Sequence, residues 1–141
     1  MMNVTQIQNF FRNDRFAEYV GIELLEVAPG RARARLEIDD RHLNAVVVAH
    51  GAAIFSLADL VFAVASNSHG TVALGVNVSV SFMKAARRGI LTAEAEEVSI
   101  NPKLATYLIR VLDEEENLIA LFQGTVYRKR DSLDAHLTPA D

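Results

Sequence analysis

The sequence predicts an α+β fold in which one long central helix lies against a mostly antiparallel sheet of five to six strands, preceded by an N-terminal helix. Three observations carry this expectation. The 42 residues from His42 to Met83 contain Asp59 as their one fully charged side chain, although the whole chain is 23% charged. Within that block Gly51–Asn67 is rich in Ala and Leu and has no Pro or internal Gly, which suits about four to five turns of helix. The flanking segments read as short apolar or alternating runs bounded by turn residues, the pattern of strands.

Taken in order, residues 4–18 read as an amphipathic helix with Val4, Ile7, Phe10 and Phe11 on one face. Phe16 or Tyr19 is expected to continue its contact with the core. Residues 22–28 and 32–38 form a hairpin around Pro29-Gly30, a pair with strong turn chemistry. The alternation of Arg31, Arg33 and Arg35 with Ala32 and Ala34 fits a solvated strand face better than a phosphate site. Residues 39–49 are the loop that leads into the helix.

The apolar residues of the helix run right round its circumference, the mark of a helix wrapped by the rest of the fold. After Gly70 the pattern changes to period two. Val76, Val78, Val80 and Phe82 fall on one strand face, and Asn77, Ser79 and Ser81 on the other. Further strands are expected at 91–100, 106–113 and 118–128, with turns at Asn101-Pro102 and over the acidic 113–117. The tail 131–141 has no periodicity and is expected to be mobile.

One domain over residues 1–130 accommodates these elements, since 141 residues and 15.5 kDa can bury a sizeable core. A hydrophobic content of 50% argues against disorder, and a net charge of −4 gives no electrostatic case for nucleic acid. The chain has no cysteine, so disulfides and thiolate metal sites are excluded and a reducing cytoplasm is permitted. No apolar run resembling a signal peptide occurs in the first 19 residues. The central helix is shorter than the ~20 residues a bilayer needs and carries Asp59 near its middle, so no membrane is expected.

A carboxylate in an apolar block costs several kcal/mol to bury unless it is hydrogen-bonded or shifts its pKa upward. Asp59 could instead mark a stripe of helix that reaches water, yet Phe55, Leu57, Leu60 and Phe62 leave little room for one. Chemistry is the better reason to keep it. At spacings of three and four it shares a face with Phe55, Ser56, Phe62 and Ala63. His50-Gly51 stands where the chain turns into the helix, and the first N–H groups of a helix lack internal partners. Those donors and the positive end of the helix dipole suit an oxygen that is gaining negative charge. Six residues before His50, Asn44 offers an amide as a second donor, while His50 orients the loop by a hydrogen bond. Two donors and one carboxylate suffice for acyl-transfer hydrolysis. No metal is expected, because His42, His50 and His69 show no recognised ligand spacing with Asp59.

The pattern Asn44, His50-Gly51 and Asp59 within IFSLADLVFA, followed by SNSHG, resembles the hotdog-fold acyl-CoA thioesterases of the phenylacetic acid degradation (PaaI-like) type. The likeness continues through VSVSFMKAARRG and IALFQGTVYRK, from about Phe16 to Arg130. Ala52 stands where the family often has a second glycine, and Ala85 where it has a proline. The resemblance implies acyl-CoA thioester hydrolysis without a cofactor, in a homodimer or homotetramer whose sites lie between subunits. It implies that Gly51 and Asn44 hold the thioester oxygen while Asp59 of a second subunit acts as general base or nucleophile. The N-terminal helix would help shape the acyl end of the pocket, and an aryl or short to medium acyl group would suit Phe55 and Phe62. Lys84, Arg87 and Arg88 are the candidates for the CoA phosphates. A non-catalytic acyl-CoA binding module and a hotdog hydratase or dehydratase are the alternatives.

Overall fold

The structure, a computed structural model, describes residues 2–136. Two short helices open the chain, α1 (Val4–Arg12) and α2 (Arg15–Val20). A hairpin follows, β1 (Ile22–Ala28) and β2 (Arg31–Ile38), and then the long helix α3 (Gly51–Asn67). Four strands complete the fold: β3 (Thr71–Phe82), β4 (Gly89–Ile100), β5 (Leu104–Leu112) and β6 (Leu118–Ser132). The six strands make one sheet in the order β1-β2-β4-β5-β6-β3, with every pairing antiparallel. This is a hotdog fold, with α3 packed against one face of the sheet.

The single N-terminal helix expected over 4–18 is two helices. Asn13 closes α1, and the Asp14 carboxylate accepts from the Ala17 N–H to open α2. An Asp that satisfies an otherwise orphaned first-turn donor restarts the helix with a new rotational phase. Ala17 therefore turns into the core, while Phe16 and Tyr19 stay exposed, contrary to the expected core contact. The tail also differs. β6 runs on to Ser132, and Leu133 is buried with Met2 and Ile7 while its N–H donates to Gly70 O. The rest of the tail, 137–141, lies outside the described residues.

The core sits between α3 and the sheet. Ile54, Leu57, Val61, Phe62 and Val64 point down onto Leu36, Leu91, Tyr107, Ile109 and Phe122, all nearly inaccessible to water. Phe62 reaches the sheet over two glycines in neighbouring strands. A Cβ on Gly75 would stand 3.2 Å from its ring, and one on Gly124 would stand 2.5 Å away. The ring cannot step aside, because Tyr107 and Phe122 pack against it at centroid separations of 6.0 and 5.4 Å. Phe62 thus belongs to the core and not to the face of Asp59.

α3 is not wrapped on all sides by its own chain. Ala52, Phe55 and Asp59 are exposed, with Ser56 and Ala63 half-buried between them, a stripe at helical spacing. On β3 Gly75, Val78, Val80 and Phe82 face inward, but Val78 and Phe82 remain exposed. Val76, expected on that same face, is the extra residue of a bulge between Gly75 and Asn77. β3 is also an edge, so its outer backbone groups have no neighbouring strand in this chain.

Because the Phe62 ring is held from both sides, Gly124→Ala should destabilise the protein by about 1–3 kcal/mol. A lower urea midpoint with an unchanged m-value checks this; an unchanged midpoint refutes it.

Candidate functional site

The start of α3 is built by the loop before it. His42 is buried, and its Nδ1 accepts from the Asp39 N–H at 3.0 Å. Its Nε2 therefore donates to Val20 O at 2.6 Å, which fixes a neutral tautomer and ties the loop to α2. The Asn44 side-chain oxygen accepts from the N–H groups of Val46 and Val48 at 3.1 and 3.2 Å. This tight turn holds Val47 at a φ of 64°, an unusual conformation for a β-branched residue. A bridge between Leu43 and Ala49 closes the loop, and His50 N–H donates to His42 O at 2.7 Å. Asn44 thus commits its carbonyl to the loop and keeps its amide group without an acceptor among the described residues.

His50 is the N-cap of α3, with Nδ1 accepting from the Ala52 N–H at 2.9 Å. Ala53 and Ile54 donate to His50 O. The Gly51 N–H is left without an acceptor among the described residues, at the positive end of a 17-residue helix. Phe82 lies across Gly51, where a Cβ would meet its ring at 3.2 Å. His50 thus joins the loop to the helix start, and of the donors considered the Gly51 N–H and the Asn44 amide are left without acceptors among the described residues.

Two cavities lie along the open stripe of α3. One of about 250 Å³ adjoins the helix start and is bordered by Phe16, Tyr19, Arg41, Leu43, His50 and Ser56. The other, of about 140 Å³, is bordered by Asp14, Phe16, Ile22, Phe55, Ser56 and Asp59. Phe16 and Ser56 border both. The sequence leads one to expect Asp59 enclosed by apolar residues, but in the single chain it keeps solvent access, because the sheet and α2 leave that side of the helix bare. The apolar walls nonetheless withhold enough water to raise its carboxyl above the ordinary range, and the nearby Asp14 raises it further.

Asp59 and Gly51 sit on one helix eight residues apart, about 12 Å along its axis. Within one chain they do not meet at a single carbonyl carbon. Of the basic candidates Lys84, Arg87 and Arg88, all three are exposed, and the Ala49 N–H donating to Ala86 O at 2.7 Å ties their segment to the loop beneath the helix start. Arg88 pairs with Asp40 at 2.8 Å, and Lys84 acts on Asp113 of the β5–β6 turn. Neither Lys84 nor Arg87 has an ion-pair partner among the described residues, and of the two only Lys84 has a charge interaction, with Asp113. His69, by contrast, pairs with Glu97 at 3.1 Å, and no group of residues able to hold a metal occurs among the described residues.

Asp14 and Phe16 border the site, a place that the sequence pattern does not single out, while Ser56 lies on the face of Asp59 as its spacing predicts. Asp14 carries a legible signal as a helix N-cap, but its place beside a residue 45 positions away in sequence carries none.

The thioesterase superfamily profile matches residues 48–120, which span the helix start, Asp59 and the basic segment. The chain is 50% identical over 119 residues to a putative esterase of Archaeoglobus fulgidus, covering 84% of this chain and 77% of that one. To the acyl-coenzyme A thioesterase PaaI of Escherichia coli it is 30% identical over 119 residues, covering 84% and 85% of the two chains. The structure of E. coli PaaI superposes with a TM-score of 0.85 at 29% identity, over 88% of this chain and 91% of that one. The structure of a mutant of the phenylacetic acid degradation protein PaaI from Thermus thermophilus superposes with a TM-score of 0.79 at 37% identity, over 82% and 100%. With the profile, these relatives and the fold in agreement, this chain belongs to the thioesterase superfamily as a PaaI-like thioester hydrolase.

Proposed function

We propose that the protein hydrolyses acyl-CoA thioesters carrying an aryl or short to medium acyl group, phenylacetyl-CoA being the first to assay, in a site completed by two subunits. The observation that carries this reading is the division of labour along α3. A free N–H opens the helix, a carboxylate stands about 12 Å further on, and the stripe that bears it is uncovered in one chain. Two copies joined along the β3 edges would continue the sheet, cover the exposed Val78 and Phe82, and set two α3 helices side by side. Antiparallel neighbours would then bring Asp59 of one to Gly51 of the other. Dimers pairing into a homotetramer, in the cytoplasm, complete the family expectation.

In this mechanism the Gly51 N–H and the Asn44 amide hold the thioester oxygen as it becomes an oxyanion. Asp59 takes a proton from water as the water oxygen bonds to the carbonyl carbon, or it attacks that carbon itself and forms an anhydride that water then opens. In both routes the C–S bond breaks, the CoA sulfur leaves as a thiolate and is protonated, and the free acid departs. Water and the thioester are the whole of the chemistry; no cofactor takes part. The cavities beside Phe16 and Phe55 suit the acyl group, and Arg87, exposed and free of charge interactions among the described residues, is the first of the three cations to test against a CoA phosphate.

Asp59→Asn keeps the shape and removes the base, so kcat should fall by about 10²–10⁴ with KM little changed. The fold should not suffer. A carboxyl whose pKa is raised on folding opposes folding when ionised, and that cost vanishes as pH falls through the raised value. The variant should therefore unfold at the same or a higher denaturant midpoint at neutral pH. Hydrolysis by Asp59→Asn near the wild-type rate sinks the assignment.

Arg87→Glu should raise KM for an acyl-CoA by about two- to fivefold, in line with one exposed charge contact. A truncated thioester lacking the nucleotide should be little affected. Equal effects on the two substrates would show that Arg87 does not meet the phosphates.

A further inference from the structure

The small cavity at the middle of α3 has two carboxylates on its walls. Asp59 comes from α3, and Asp14 comes from the residue that caps α2, where one of its oxygens accepts from the Ala17 N–H at 2.9 Å. That hydrogen bond fixes Asp14 on the cavity wall. The other bordering groups named above, Phe16, Ile22, Phe55 and Ser56, carry no charge, and no cation borders the cavity among the described residues. Arg12, Glu18 and Glu23 border a neighbouring cavity that also touches Asp14. A helix cap needs an oxygen acceptor, and Asn or Ser serves as well as Asp. Placing a second negative charge beside Asp59 is therefore more than capping requires.

We infer that Asp14 is a positioning residue for the hydrolysis, its negative charge making the Asp59 carboxylate a stronger base than the cavity walls alone would. The inference rests on the reading of Asp59 as the base or nucleophile. A negative charge beside a partly desolvated carboxyl favours its protonated state, so Asp59 binds a proton more readily than it would without Asp14. The rise in the Asp59 pKa, caused first by desolvation and then by Asp14, agrees in direction. A stronger base takes a proton from water more readily once it is ionised, but it also stays protonated to a higher pH. The same carboxylate also anchors α2, so Phe16 is held at the wall shared by both cavities. One residue thus links the acyl-side wall to the strength of the base.

The two roles separate by substitution. Asp14→Asn keeps the cap and removes the charge, whereas Asp14→Ala removes both. The full-length protein should be assayed with phenylacetyl-CoA by loss of thioester absorbance from acid to neutral pH, with the carboxyl ¹³C of Asp59 titrated by NMR in parallel. In Asp14→Asn the acidic limb of kcat should move to lower pH while the plateau falls. The ratio of variant to wild-type rate should therefore rise as pH drops, and the Asp59 titration should move to lower pH with it. Asp14→Ser, a second neutral cap, should give the same shift. An unmoved limb and titration, or a loss of rate uniform across pH in Asp14→Asn, overturns the inference and leaves Asp14 a helix cap. If Asp59→Asn hydrolyses the ester like wild type, the catalytic reading fails instead. The NMR titration then still reports whether Asp14 shifts Asp59.

Discussion

A helix that is apolar around its whole circumference is covered on only part of it by its own sheet, and much of the structure follows from that mismatch. The buried side locks Phe62 over Gly75 and Gly124 and packs Leu57 and Val61 against the strands. The remaining stripe, Ala52, Phe55, Ser56, Asp59 and Ala63, is left with two short helices for partial cover. Burying apolar area at about 25 cal/mol per Å² favours closing such a stripe with another surface. The β3 edge, with inward-facing Val78 and Phe82 exposed beside it, poses the same demand from the sheet.

The proposed chemistry uses both ends of this arrangement. At the helix start, satisfied donors matter as much as free ones. His50 caps the Ala52 N–H, Ala53 and Ile54 bond to His50 O, and what remains is one N–H at Gly51. The loop that presents it is over-determined by the Asn44 carbonyl and by the neutral His42 bridging Asp39 and Val20. Such a framework can hold a backbone donor in place without reorganisation when charge develops. Partway along the helix, partial dryness raises the pKa of the Asp59 carboxyl, and in the proposed mechanism it keeps that carboxylate reactive by withholding the water that would stabilise it.

Much of this is legible in the residues. The six strands follow from alternation and turn chemistry, as at Pro29-Gly30, and each lies within a few residues of its expected place. The lone charge in a block of 42 residues points at Asp59, and the His50-Gly51 pair points at a helix start. The departures have a common origin. Residues 4–18 look like one amphipathic helix because Phe10, Phe11 and Phe16 can be strung on a single face. The Asp14 cap resets the phase and turns Ala17 inward in place of Phe16. Phe62 looks like a neighbour of Asp59 because it lies three residues on, but the bare backbone of Gly75 and Gly124 draws its ring into the sheet.

By itself the sequence determined the periodicities, the caps and the spacing of Asn44, Gly51 and Asp59, since these depend on residues within a few turns of one another. Tertiary structure alone decided that Asp59 stays open to solvent within one chain, that Asp14 shares its cavity, and that Asp40 engages Arg88. Each of those facts joins elements far apart along the chain. Burial and long-range charge depend on which surfaces the packing of helix on sheet leaves free, a property of the assembled fold that no local pattern encodes.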